Sequence, residues 1–153
     1  MDLIKSFSAD QYARGLDSWQ WLDLAGKTPV FASLFGDVVL QSATGLWFLD
    51  SMEGSLAQLW DSREALQAAL STADGQDRYL LAGLALAAHQ QGIVLAPNQV
   101  YDLVHPPALG GSLDVDNITA ADFVFSLNIA GQLHEQIKDL PPGTPITGIK
   151  FEE

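Results

Sequence analysis

The chain has 153 residues, 48% hydrophobic and 17% charged, with nineteen Asp and Glu against seven Lys and Arg, a formal net charge of −12. That composition excludes a highly charged disordered chain, and the length suits one domain with its own core. So negative a surface repels phosphate backbones and anionic membranes, and the lack of cysteine excludes a disulfide framework, a thiolate zinc site and a cysteine nucleophile.

The opening MDLIKSFSADQ has one lysine and no apolar core segment, so it does not read as a signal peptide, and a cytoplasmic location is expected. Residues 7–24 carry Leu16, Trp19, Trp21 and Leu22 in an irregular pattern that predicts one or two short helices. On a helix, Trp19 and Trp21 would face different ways. Thr28-Pro29 starts an extended run. Residues 37–41, 46–50 and 55–60 then read as strands, separated by turns at Ala43-Thr44-Gly45 and Met52-Glu53-Gly54. Short strands joined by short loops predict an antiparallel meander over 29–60, with Trp47 and Trp60 in the core.

Residues 61–92 read as helical. Asp61 or Ser62 caps the first helix, Glu64 follows Asp61 at capping-box spacing, and Leu66, Ala69 and Leu70 form its seam. Asp74 and Asp77 open a second helix that runs to Gly92. Its segment 79–88 is apolar nearly all round, which predicts the most buried helix of the molecule. That segment is also the longest apolar stretch, and it is about half of what a membrane span requires.

From Ile93 onward Pro97, Pro106-Pro107 and Gly110-Gly111 predict a structured loop or edge strands, with a fixed backbone shape over 106–111. Thr119 and Asp122 signal a helix start, and residues 120–138 read mainly as helix, with 123–125 open to a strand reading. Pro141-Pro142-Gly143 stops the helix, and 146–151 is a candidate terminal strand. The expectation is a single α+β domain over 1–153: a helical lead-in (1–24), strands (29–60), helices (61–92) and a C-terminal part (93–153). An antiparallel sheet in the N-terminal half carries helices packed on one face.

Chemistry is harder to find. No nucleophile elbow, zinc-binding HExxH, P-loop or dinucleotide fingerprint is present. Asp114-Val115-Asp116-Asn117 resembles the start of a calcium loop, but Ile118 stands at the third ligand position and the glycine is missing. No two of His89, His105 and His134 lie at i, i+4 spacing, so no metal pair is preset. His89 is expected at a helix end and His105 in its own loop, and His134 adjoins Glu135. No cofactor and no metal is assigned.

Three stretches resemble one bacterial family. They are Phe35-Gly36-Asp37-Val38 with Gly45 and Leu49-Asp50; Tyr101 with Pro106 to Gly111 and Asn117; and Gly131-Gln132-Leu133-His134 followed by Leu140 to Thr144. The family, formerly a domain of unknown function, is named after the C-terminal domain of a type VI secretion DNase-immunity protein. The resemblance covers roughly residues 20–150 and implies a non-catalytic protein that binds and neutralises a toxic effector. Independently, a DNase must present a basic cleft to phosphate, and an acidic partner can occupy it. The expected partner is therefore a basic effector, with Asp114, Asp116 and Asp122 as the first candidate contact. Two other readings stand beside it. One is a small-molecule-binding domain or small enzyme with a pocket near Tyr101, His105 and His134. The other is a general scaffold resembling the yeast cell-wall regulator family.

Overall fold

Residues 1–152 are described by a computed structural model. The alternating segment folds into β2 (Thr28–Ser33), β3 (Val38–Ser42), β4 (Gly45–Asp50) and β5 (Ser55–Trp60). A two-residue strand β1 (Ile4–Lys5) adds to β2, giving a five-stranded antiparallel sheet in the order β1-β2-β3-β4-β5. The register pairs Val38 with Leu49 and Leu40 with Trp47 on one face, and Val39 with Phe48 on the other. The class and the meander are as expected.

Helical cover is broader than the sequence led us to expect. On the Val38 face lie α1 (Ala9–Leu16), the 3-10 turn Asp17–Trp19 and α5 (Phe123–Ile137). Tyr12, Leu16, Trp19, Phe123 and Leu127 pack there against Ala32, Val38, Leu40 and Leu49. On the opposite face α2 (Arg63–Leu70) sets Leu66 against Val39, Leu46 and Trp60, with Tyr79 of α3 (Ala73–Leu80) at the margin. Both faces are apolar at β3 and β4, so both require cover.

The predicted helix from Asp74 to Gly92 is two helices, because Leu81 takes a left-handed conformation (φ 50°) between α3 and α4 (Ala82–Gln90). Asp77 organises the break: its backbone carbonyl accepts from the Leu81 N–H, and its Oδ1 accepts from the Gly83 N–H. The turn sends α4 away from the sheet. There Ala85 and Ala88 pack with Leu34, Phe35, Tyr101, Leu103 and Ile118, leaving Leu86 exposed. The most buried helix is therefore α5, which buries Phe123, Leu127, Gly131, Leu133 and His134. Ser62, not Asp61, caps α2, and Asp122 caps α5 directly by accepting from the Phe125 N–H.

Two further expectations change. Trp19 and Trp21 face the same element, because the chain leaves the 3-10 turn between them. Their rings stack with centroids 5.7 Å apart, and their indole N–H groups donate to the Leu127 and Gly131 carbonyls of α5. Residues 146–151 form no strand; they run alongside α5. The predicted edge strands do form, as the hairpin pair β6 (Gln99–Leu103) and β7 (Ile118–Asp122).

Candidate functional site

The turn between β2 and β3 is held by its own side chains. Ser33 Oγ accepts from the backbone N–H groups of Phe35 and Asp37 and donates to Asp37 Oδ2 at 3.0 Å. The other Asp37 oxygen accepts from the Ser51 N–H and hydroxyl, both at 2.8 Å, and so ties this turn to the β4–β5 turn. Asp37 is buried, and burial pushes its carboxyl up to about 6. The nearby Asp50 acts in the same direction, against the Ser51 and Ser33 hydrogen bonds.

From α5, His134 reaches the same junction. Its Nε2 lies 3.0 Å from the Ser51 carbonyl, which can only accept, so Nε2 carries a proton. Burial lowers the imidazole pKa, against the opposing pull of Ser51 and Asp50, which favours the neutral ring. Gly54 closes the β4–β5 turn at φ +72°, and a Cβ there would lie 2.4 Å from His134 Nδ1. Only glycine meets both requirements.

Beside this junction is a cavity of about 280 Å3, bounded by Phe35 and Met52, by Tyr101 and Asp102 of β6, by Pro106 and by α5. Its walls are mostly apolar. Asp102 is its acidic group, with a pKa raised by burial and opposed by the Leu103 N–H and the Ser126 side chain. Of the three candidate pocket residues, Tyr101 and His134 both line this cavity and His105 does not. Tyr101 is also tied in place: its N–H donates to the Leu34 carbonyl at 2.7 Å and its hydroxyl to the Ile93 carbonyl at 3.3 Å.

His105 lies on a more open depression with Asp114, Asp116 and Asn117. Asn117 builds that loop. Its Oδ1 accepts from the His105 N–H, and its Nδ2 donates to the carbonyls of His105 and Ser112. A Cβ on Gly111 would lie 1.6 Å from the His105 carbonyl oxygen, so the backbone approach there leaves no room for a side chain.

Of the candidate contact residues, Asp114 and Asp116 are exposed, and the Asp114 carboxylate accepts only from the Asp116 N–H. Asp122 stands apart at the start of α5, half-buried, with one oxygen on the Phe125 N–H and the other on Asn98 Nδ2. Reading for chemistry passed over Ser33, Asp37 and Ser51. The signal was present: an Asp in the glycine turn Phe35-Gly36-Asp37 on the inward side of a buried strand needs donors.

Among the described residues, no group of three or more His, Asp or Glu is placed to hold a metal ion. None of their helices is long and apolar enough to cross a membrane.

An antiparallel sheet clasped by helices, with a β6–β7 hairpin at its turn end, defines an α+β domain. The same fold occurs in the crystal structure of Atu4351 from Agrobacterium tumefaciens, at 16% identity and a TM-score of 0.58. The match covers 85% of this chain and 66% of that one, so this chain spans just under two thirds of its length. Residues 61–134 match the family described as "T6SS immunity protein Tdi1, C-terminal". The family resemblance read from the sequence is thus borne out from α2 to His134. The glycine turns of the sheet and the Pro141–Thr144 motif lie outside the matched segment. No curated protein matches the chain. The family match supports an immunity role.

Proposed function

We propose that the chain is a non-catalytic immunity protein that binds and neutralises a cognate toxic effector, a type VI secreted DNase, through its acidic surface. The family match over residues 61–134 carries this reading, since that segment includes the acidic loop and most of α5. Charge supports it: among the described residues only Asp10 and Arg14 form an ion pair, so most of the excess negative charge has no partner within the chain. A cleft that binds phosphate offers the complement, and Asp114 and Asp116 on the loop that Asn117 braces are the contact we favour. Asp122, apart from them at the start of α5, adds to the acidic surface while it caps that helix.

The test is association with the effector that co-purifies with the tagged chain, followed from low to high salt. The on-rate should fall by on the order of tenfold or more, and Asp114→Asn with Asp116→Asn should slow it at low salt. A salt-independent rate that the variant reproduces would overturn the acidic contact.

A second reading, a small-molecule site, draws on the cavity shared by Tyr101 and His134. Its weakness is chemical. His105 lies outside, and His134 Nε2 is engaged by Ser51.

A further inference from the structure

Residues 150–152 run along α5, after a left-handed turn at Gly148, and are held in an unusual way. The Gln136 side-chain amide donates to the Lys150 carbonyl at 2.6 Å and accepts from the Lys150 N–H at 3.1 Å. The Gln132 amide makes the same pair of bonds with the carbonyl and N–H of Glu152. Each glutamine thus acts as one residue of a neighbouring strand. The spacing explains the fit: four residues of helix rise about 6 Å, and two residues of extended chain span about 6.6 Å.

Bonds within the helix help to orient both glutamines, and Gln136 Nε2 donates to the Gln132 carbonyl at 3.2 Å. Asn128 Nδ2 donates to the Arg14 carbonyl, which turns Asn128 Oδ1 toward Gln132 Nε2 at 2.6 Å. That leaves Gln132 Oε1 outward as acceptor and its second N–H outward as donor. Both glutamine contacts are to backbone, so they select for extended conformation and not for sequence. Selection comes from the side chain between them: Phe151 lies at the mouth of the apolar cavity beside α5.

The chain's own segment fits this groove incompletely. Phe151 remains 46% exposed while about 280 Å3 beneath it stays open. The link from α5 lacks regular secondary structure, and its backbone bonds are the local ones from Leu140 to Ile137 and from Thr144 to Pro141. An incompletely seated occupant on an irregular link is a competitor that a better-fitting segment can displace.

We infer that the Gln132–Gln136 ladder and the adjoining cavity form a peptide-binding groove, filled in cis by residues 150–152. Its occupant in trans is an extended segment of a partner polypeptide with a large apolar side chain between the two residues that the glutamines read. The groove adjoins the acidic loop, with Pro106 and Leu109 on the border of both, but it uses none of the loop's carboxylates, and the inference does not rest on the immunity reading.

The probe is a labelled peptide with the sequence of residues 147–152, titrated into the full chain. In the wild type the tethered segment competes, which lowers the apparent affinity by the fraction of free groove. Phe151→Ala weakens the competitor and should tighten peptide binding by about tenfold. Adding Gln132→Ala and Gln136→Ala to Phe151→Ala should abolish it, as should replacing the peptide's phenylalanine by alanine. Melting temperatures confirm that each variant is folded. Undetectable or equal binding to wild type and Phe151→Ala, or binding that survives loss of both glutamines, would overturn the groove.

Discussion

Two polar, glycine-containing regions lie at the same end of the molecule and are built on opposite plans. At the junction of the β2–β3 and β4–β5 turns, Asp37, Ser33, Ser51 and His134 are buried or half-buried and bond to one another or to backbone. In the loop over 105–117, Asn117 is the polar side chain that turns inward, and Asp114 and Asp116 face solvent. The contrast separates two uses of polarity. Side chains that satisfy one another hold turns in place, whereas side chains left outward remain free for a partner.

The largest effect expected is at the closed region. Gly54→Val combines a positive φ with a Cβ inside contact distance of His134 and should cost about 4 kcal/mol, read by chemical denaturation. Stability close to wild type would show that the junction is looser than its geometry.

Next comes the titration of Asp37. Its folded-state pKa, near 6, lies above the ordinary 3.8, so its favourable contribution is fully present below about pH 4. That contribution is lost as pH rises through 6. Wild type should therefore lose up to about 3 kcal/mol relative to Asp37→Asn between pH 4 and 7. His134, whose pKa is lowered, acts in the opposite sense, but it is common to both proteins and drops out of the difference. A pH-independent difference would mean that Asp37 is better solvated than its burial implies.

Asn117 is the one place where the open loop is built like the junction. Asn117→Ala leaves the His105 and Ser112 backbone groups without their partner and should cost about 2 kcal/mol. Amide exchange should speed up first at His105. The smallest effect belongs to the outward carboxylates: Asp114→Asn with Asp116→Asn should change stability by no more than about 0.5 kcal/mol. A loss as large as that of Asn117→Ala would erase the contrast between the two regions.

The sheet was legible because its signal is local: Val38 to Gln41 and Leu46 to Asp50 show their strand character within five residues. The two-residue β1 was not, since Ile4 and Lys5 are a strand only because β2 offers them an edge. The break at Leu81 was hidden for a similar reason. A leucine carries no turn signal, and Asp77, which bridges the two helices, reads equally well as an ordinary helix-start carboxylate. Trp19 and Trp21 misled because helical spacing was applied to a turn. Of the site, Tyr101 and His134 were visible as polar residues in family-like stretches. Their separation from His105 depends on the Asn117 bonds, which no spacing encodes. The Gln132–Gln136 ladder was invisible because its ligand is backbone, and backbone has no letter in a sequence.

The bonds from the N-terminal lead-in to α5 have a consequence for the order of events at the ribosome. Ser18 donates to the Asn128 carbonyl across a separation of 110 residues, and Trp19 to that of Leu127 across 108. At roughly 5–20 residues per second, the lead-in waits on the order of 5–20 s for its acceptors to be synthesised. Strands β2 to β5 need no such delay, since each pairs with its neighbour in sequence. During that interval the Val38 face of a nascent sheet stands uncovered, and the cavity does not yet exist. Both are completed in one late step, when α5 emerges and docks.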